Sequence, residues 1–513
     1  MLGTLDFTMK ALILALLPLW LPASVGQAAE FPILTPKPGP QPAIRGPRVY
    51  GVRPGRPVIY RIPCTGERPI RFAADGLPSS IQLDAEKGVL RGAAPSQRGE
   101  YVITFHAVNR HGKSKRQWKL MVGDQIALTP PMGWNHWYTY YHRISDELFR
   151  QAADAMVSCG MADFGYAYVS IDDCWMTRAD SPDPQLNLPP RDAAGAIRPN
   201  ANFPDMMALT AYIHEKGLKA GIYTSPGPLT CARYCGSYQH EEIDARTFAA
   251  WGFDLLKYDL CSYRRIANPK TVEDHRKPYE LMGRILRGLD RDIHFNLCQY
   301  GLAEVWKWAP EVGGNSWRTT GDLGLEKDTR LPGFYSIGFK NAALWEYAGP
   351  GHWNDPDYIL IGVIGNARDQ KAPPQPTKLT ADEQYSYMSM WSLMAAPLFY
   401  SGDMSRLDAF TLNVLCNGEV IDVNQDSLGK QARIVRKTED EFILAKPLED
   451  GSLAVGLFNI SEQPRTVRVS WAELHLKGRK RVRDVWRQKD IASVTGEVSA
   501  QVPRHGVAFL RLH

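Results

Sequence analysis

Asp254-Leu255-Leu256-Lys257-Tyr258-Asp259-Leu260-Cys261 is a short apolar run with Lys257 and Asp259 two positions apart. Read as a β-strand, it turns both side chains to one face. An ammonium on that face holds a neighbouring carboxylate ionised, the state a nucleophile needs. Seven more β runs, around Trp134, Val169, Ile222, Phe295, Trp317, Trp353 and Phe399, alternate with helical segments between about residues 128 and 425. Eight such runs over ~300 residues predict a (β/α)8 TIM barrel.

The helix signals between them are specific. Ser145 is placed as an N-cap, with Leu148, Ala152, Ala155, Met156 and Cys159 at helical spacing and Gly160 as the stop. Thr380 and Glu383 have the spacing of a capping box.

Almost every predicted strand ends in polar or aromatic residues: Trp137, then Asp172 and Asp173, then Tyr223, Asp259, Gln299, Arg318 with Asp322, and Asn354-Asp355-Pro356-Asp357. In a barrel these carboxyl ends meet on one rim. Several carboxylates, aromatics, a Lys and an Arg suit a neutral polyhydroxylated ligand, because carboxylates accept hydroxyl hydrogens and aromatic faces cover C–H surfaces. No His cluster or glycine-rich phosphate loop accompanies them, so neither a cofactor nor a metal is expected. Asp172, Asp173 and Asp357 could gather a hard cation, but Lys257 and Arg318 in the same pocket oppose it. His136 reads as a hydrogen-bonded core residue.

Cleaving a glycosidic bond takes one ionised carboxylate and one carboxylic acid. Asp259 beside Lys257 fits the first role. Asp322, on the Gly-containing turn after Trp317-Arg318, fits the acid, with Arg318 facing the pocket and helping to keep Asp259 charged.

The chain has 513 residues, enough for several domains, and a net charge of +5 that implies no charged partner. Met9-Lys10, an apolar stretch from Ala11 and small residues to Ala29 read as a signal peptide over 1–29. Export to the periplasm or medium follows, with no membrane attachment after cleavage. Residues from about 36 to 58 have the Pro, Gly and Arg content of a linker. They lead into alternating segments with turns at Asp75-Gly76, Lys87-Gly88 and Asn109–Gly112, which predict an antiparallel β-sandwich within 30–124. The barrel is assigned 125–425, and alternating strands over 426–513 predict a C-terminal antiparallel β-sandwich. The basic run Arg479–Arg483 reads as a solvated strand face, without the motifs of a nucleic-acid partner. The eight cysteines lack metal-site spacing and suit one or two disulfides, with Cys235 a possible alternative partner for Cys231.

From about Leu128 onward the chain resembles glycoside hydrolase family 27, the α-galactosidase and α-N-acetylgalactosaminidase family of the melibiase clan. The resemblance rests on Thr129-Pro130-Pro131-Met132-Gly133-Trp134-Asn135-His136-Trp137, Ile171-Asp172-Asp173-Cys174-Trp175, Gly217 to Tyr223, Asp254 to Cys261, Trp317-Arg318 and Trp353 to Asp357. It implies retaining hydrolysis of terminal α-galactosides, with Asp259 as nucleophile and Asp322 as acid and then base. By the same likeness Trp137, Asp172, Asp173, Tyr223, Lys257 and Arg318 grip the sugar, Asp357 lies near the centre, and Cys231 pairs with Cys261. Gln299 occupies the place that reads the sugar's second carbon; a bulky hydrogen-bonding Gln there favours galactose over N-acetylgalactosamine. Two departures stand out: Cys174 and Cys298 lack the partners found in lysosomal members, and Tyr358 replaces a Met. The first segment resembles the immunoglobulin-like modules of bacterial secreted enzymes. The alternatives are family members acting on β-L-arabinopyranosides, α-N-acetylgalactosaminides or isomaltose-type linkages, and a non-catalytic carbohydrate-binding protein.

Overall fold

Eight short parallel strands make one ladder: β1 Met132–Asn135, β2 Tyr168–Ser170, β3 Lys219–Thr224, β4 Leu255–Asp259, β5 His294–Cys298, β6 Ser316–Arg318, β7 Trp353–Asp355 and β8 Leu398–Tyr400. This computed structural model describes residues 31–324, 330–365 and 371–513; the expected signal peptide lies outside them. From β1 to β7 each strand pairs with the next in sequence, and β8 pairs with β1, with Met132 opposite Leu398. Nearly every residue of the eight is buried, as in a barrel covered on both faces. Gly133 is forced by this closeness, since a Cβ there would lie 2.4 Å from the Tyr168 carbonyl oxygen.

The seam between β7 and β8 is different. Pro356 follows β7 and has no N–H to give a ladder, and Asp357 adopts φ 84°. The barrel closes one step later, where the Ile359 N–H donates to Phe399 (2.7 Å) and the Ser401 N–H donates back to Ile359 (3.0 Å).

The helix Asp146–Ser158 starts as its cap predicts, with the Ser145 side chain accepting from the Leu148 N–H, and Gly160 beyond its end is left-handed at φ 88°. Phe149, Ala152, Ala153 and Met156 form its buried face. Ala381–Leu393 begins with a complete Thr380/Glu383 capping box and is buried on all sides.

Before the barrel, a sheet of Val49–Val52, Gly112–Val122, Gly99–Asn109 and Arg71–Asp75 faces a second of Pro57–Arg61, Val89–Ala93 and Ile81–Asp84. Trp118, Tyr60 and Phe105 fill the space between them. Two expectations are corrected. The stretch read as linker contains strands, Ala43–Ile44 and Val49–Val52 among them. The sheet is mixed, since Val49 runs parallel to Lys119, the chain having crossed to that edge without a hairpin.

This segment holds the barrel's floor, the amino end of its strands. Arg53 pairs with Asp292 and donates to the carbonyls of Arg287 (2.5 Å), Leu289 (3.3 Å) and Arg291 (2.8 Å). It thereby caps the end of helix Val272–Gly288, where a cation is favoured. After the barrel, antiparallel strands form a six-stranded sheet and the pair Arg465–Ser470 with Glu497–Val502. Phe442, Leu444, Phe458 and Phe509 from this part enter the barrel's own core. The basic run lies on the strand Arg479–Asp484, where Arg483 reaches Glu419 (2.6 Å) and Asp490 (3.2 Å). No helix among the described residues is long and apolar enough to cross a membrane.

Two measurements test this framework. Arg53→Ala should lower stability by about 2 kcal/mol, read as a fall in thermal midpoint, because it leaves the Asp292 carboxylate and three carbonyls short of donors. Asp254 is buried, which raises its pKa, but His214 and then Arg291 bring it down to about 2. A depressed pKa means that its stabilising contribution is whole above its ordinary value near 4 and is lost as pH falls toward 2. Asp254→Asn should therefore flatten the acid limb of stability between pH 4 and 2 by about 2 kcal/mol in urea titrations.

Candidate active site

Asp259 ends β4 and is 5% exposed. Its Oδ2 accepts from the Tyr223 hydroxyl at 3.1 Å and its Oδ1 from the Tyr300 hydroxyl at 2.5 Å. Burial and the nearby Asp259 charge raise the pKa of both phenols, so they stay protonated donors. The phenols also lie against the Cys231–Cys261 disulfide, Tyr223 at 3.3 Å from Cys261 Sγ and Tyr300 at 3.7 Å from Cys231 Sγ. Burial raises the Asp259 pKa, and Lys257 and then Tyr300 oppose that rise.

Lys257 shares the face with Asp259, yet its ammonium contacts another carboxylate. Nζ donates to Asp172 Oδ2 at 2.8 Å and to the Tyr358 hydroxyl at 3.0 Å, and that hydroxyl donates to Asp172 Oδ2 at 3.0 Å. Asn135 supplies a further donor to the same oxygen (2.9 Å). Burial pushes Asp172 up, but Lys257 and His136 outweigh it and the net shift is downward. A shared strand face thus placed Lys257 correctly but did not choose its partner. The ammonium ends a four-carbon stem and reaches across the barrel mouth to the carboxylate of β2's end.

Asp173, fully buried, is turned to the backbone. Its Oδ1 accepts from the Cys174 N–H (2.7 Å) and its Oδ2 from the Ala232 N–H (2.9 Å), which tethers the loop bearing Cys231. Burial pushes its pKa up to about 7. His136 is a neutral core residue, depressed to about 4 by burial. Its Nδ1 accepts from the Asp172 N–H and its Nε2 donates to the Tyr141 carbonyl. Trp137 sits half-buried at the rim against Tyr141, ring centroids 4.4 Å apart.

Across the mouth, Arg318 reaches Asp357 Oδ2 at 3.0 Å and Asp322 Oδ1 at 3.3 Å. It was expected to support Asp259; instead it holds the pair on its own side, since both carboxylates stand within reach of one guanidinium. Asp357 Oδ2 also accepts from the Leu323 N–H (2.9 Å) and the Tyr138 hydroxyl (2.7 Å), which fixes the residue next to Asp322. The Asp322 side chain is 66% exposed, and its charge adds to the rise in the Asp259 pKa. The two carboxyls therefore occupy one mouth, one enclosed and one open.

Gln299 directly follows β5, and its Oε1 has no partner. It is fully buried, with Nε2 donating to the Leu302 carbonyl at 2.5 Å. The backbone turns left-handed at Tyr300 (φ 65°) and Gly301 (φ 78°), and this turn points the tyrosine to the nucleophile. Alternation along β5 could not foresee a contact made after the strand has ended. The clue was the Gln299-Tyr300-Gly301 turn itself.

Among the described residues, only Cys231, Asp259 and Cys261 bring three potential metal ligands together. The disulfide removes both thiolates, so the donor set fits no metal.

Residues 129–426 match the family model described as α-galactosidase A, and 440–512 match the α-galactosidase C-terminal β-sandwich domain. The chain belongs to the α-galactosidase A family. The α-galactosidase of Cyamopsis tetragonoloba is 40% identical over 392 residues, 75% of this chain and 87% of that one. A solved Bacteroides fragilis NCTC 9343 protein, described provisionally as an α-galactosidase/melibiase, is 37% identical with a TM-score of 0.84, covering 92% of this chain and 98% of its own. The α-galactosidase of Saccharomyces cerevisiae, solved with raffinose, is 26% identical with a TM-score of 0.65 over 75% of this chain and 98% of its own. Within the family frame, Cys174 and Cys298 are free and buried, and Tyr358 belongs to the Lys257–Asp172 cluster.

The phenols give a direct test. Tyr300→Phe removes the shortest hydrogen bond to Asp259, so the carboxylate should become less acidic. The acid limb of kcat/KM should move to higher pH and kcat should fall about 10- to 100-fold. Tyr223→Phe should shift the limb in the same direction.

Proposed function

We propose that this protein removes terminal α-linked galactose with net retention. Asp259 serves as the nucleophile and Asp322 as the acid and base. The reading rests on one observation: two carboxyls at a single barrel mouth, in a chain of this family, lie in unlike surroundings. Asp259 is enclosed by fixed donors, whereas Asp322 is open to solvent beside Arg318.

In the first step an Asp259 oxygen attacks the anomeric carbon while Asp322 gives its proton to the leaving glycosidic oxygen. The C–O bond breaks, the aglycone departs as an alcohol, and a glycosyl ester remains on Asp259. In the second step ionised Asp322 takes a proton from water, whose oxygen displaces Asp259 and restores the anomeric configuration. Leaving Asp259 neutral in the ester is favoured by its burial, and the two phenols steady the carboxylate when it returns.

The Lys257–Asp172 cluster and Arg318 offer charged donors and acceptors to the sugar's hydroxyls, and Trp137 offers an aromatic face at the rim. Asp173 and Asp357 act through the loops they tether. Gln299 and Tyr300, on the turn after β5, are assigned to the neighbourhood of the sugar's second carbon, where they leave little room for an acetamido group. Export by residues 1–29 agrees with the Cys231–Cys261 disulfide, which persists in an oxidising compartment.

Purified protein should hydrolyse raffinose, releasing α-galactose first by proton NMR. Asp259→Ala should lose at least about 10⁴-fold in kcat. Release of β-galactose first would overturn the retaining scheme. Faster turnover of an aryl β-L-arabinopyranoside or α-N-acetylgalactosaminide would reassign the substrate.

A further inference from the structure

At the end of the barrel opposite Asp259, the first β-segment and the barrel floor border a cleft of about 120 Å³. Ligand sites favour such domain boundaries. Its walls are largely apolar, with Ile59, Tyr60, Ile126, Pro131 and Tyr166 among them. Three cationic or donor groups line it as well.

Lys219, at the start of β3, holds its ammonium 2.8 Å from the Tyr50 hydroxyl and over the rings of Tyr50 and Tyr168. His294, at the start of β5, is 2% exposed. Its Nε2 lies 2.8 Å from Ser316 Oγ, which already accepts from the Asn296 amide at 2.8 Å. With the serine hydroxyl donating to Nε2, the ring proton sits on Nδ1, which is buried without a partner. Arg61 donates from Nη1 to the Lys216 carbonyl (3.1 Å), while its buried Nε–H has no acceptor.

The acidic groups of the same wall are already committed. Asp254 takes the Arg291 guanidinium (2.8 Å), His214 (2.8 Å) and the Ala220 N–H (2.9 Å), and Asp292 takes Arg53. What is left over is one ammonium, the Arg61 Nε–H and, in that tautomer, the His294 Nδ1–H. Buried donors without acceptors are costly, so an acceptor-bearing guest gains what the protein alone lacks.

We infer that this cleft is a second ligand site, taking a small organic carboxylate whose apolar body lies against the aromatic and aliphatic wall and whose oxygens meet Lys219, His294 and Arg61. Because Arg61 and Tyr50 come from the first segment and Lys219 and His294 from the barrel, the guest ties the two parts together.

Calorimetric titration of the full chain tests this with sodium benzoate, its neutral analogue benzyl alcohol, and inorganic phosphate. Benzoate should bind saturably at one site and raise the thermal midpoint; benzyl alcohol and phosphate should do neither. Lys219→Met and His294→Phe should each weaken benzoate at least 10-fold while α-galactoside turnover, which shows the variant folded, stays within about 2-fold. If a variant loses turnover, Arg61→Met takes its place under the same criterion. Equal binding of benzyl alcohol, tighter binding of phosphate, no saturable benzoate binding, or benzoate affinity unchanged in the folded variants would each overturn the assignment.

Discussion

Asp259 is a carboxylate kept out of water, and much of the mouth exists to make that tolerable. Burying an anion without donors costs several kcal/mol and would simply protonate it. Here Tyr223 and Tyr300 each give one oxygen a hydrogen bond, and Lys257 contributes its field without contact. The phenols rest on the Cys231–Cys261 disulfide, whose loop is tethered by Asp173. A covalent crosslink, two phenols and a buried acid thus converge on one pair of oxygens.

The other half of the mouth depends on Asp357. A non-glycine residue at φ 84° is strained, and the surroundings hold it there. Its carboxylate accepts from Tyr138, Leu323, Tyr358 and Arg318, and its carbonyl accepts from the Trp391 indole at 2.8 Å. The same turn begins with Pro356 and ends at Ile359, which closes the barrel. Closure of the sheet and placement of Arg318 and the Asp322 loop are consequently one structural event.

The eight strands and both capped helices were readable because they depend on local rules: short apolar runs, capping spacings and turn residues. Ser145, Thr380 and Gly160 do in the fold what their positions announce. Convergence of the strand ends was readable too, since a barrel admits no other arrangement. Pairing within the rim was not. Lys257 and Arg318 are long, and each chose between carboxylates brought close only by closure. Tyr300 reaches Asp259 because the backbone leaves the β region after Cys298. Val49–Val52 was hidden by the Pro- and Gly-rich sequence around it.

The seam between β7 and β8 is the weakest in the ladder, a single bridge where the other strands share regular pairing. Helix Ala381–Leu393, which connects these two strands, compensates from behind: Trp391 holds the Asp357 carbonyl, and the Tyr387 hydroxyl donates to the Tyr358 carbonyl at 2.5 Å. That helix is buried on all sides because the C-terminal sheet packs over it. Its Ser386 and Glu383 reach His505 of that sheet's last turn, through the carbonyl and Nδ1 at 2.8 Å each. The C-terminal sheet carries none of the rim's charged groups, yet it supports the turn on which Arg318 and the Asp322 loop are mounted. Its contribution to catalysis is mechanical, carried by helix packing from the outer sheet to the mouth.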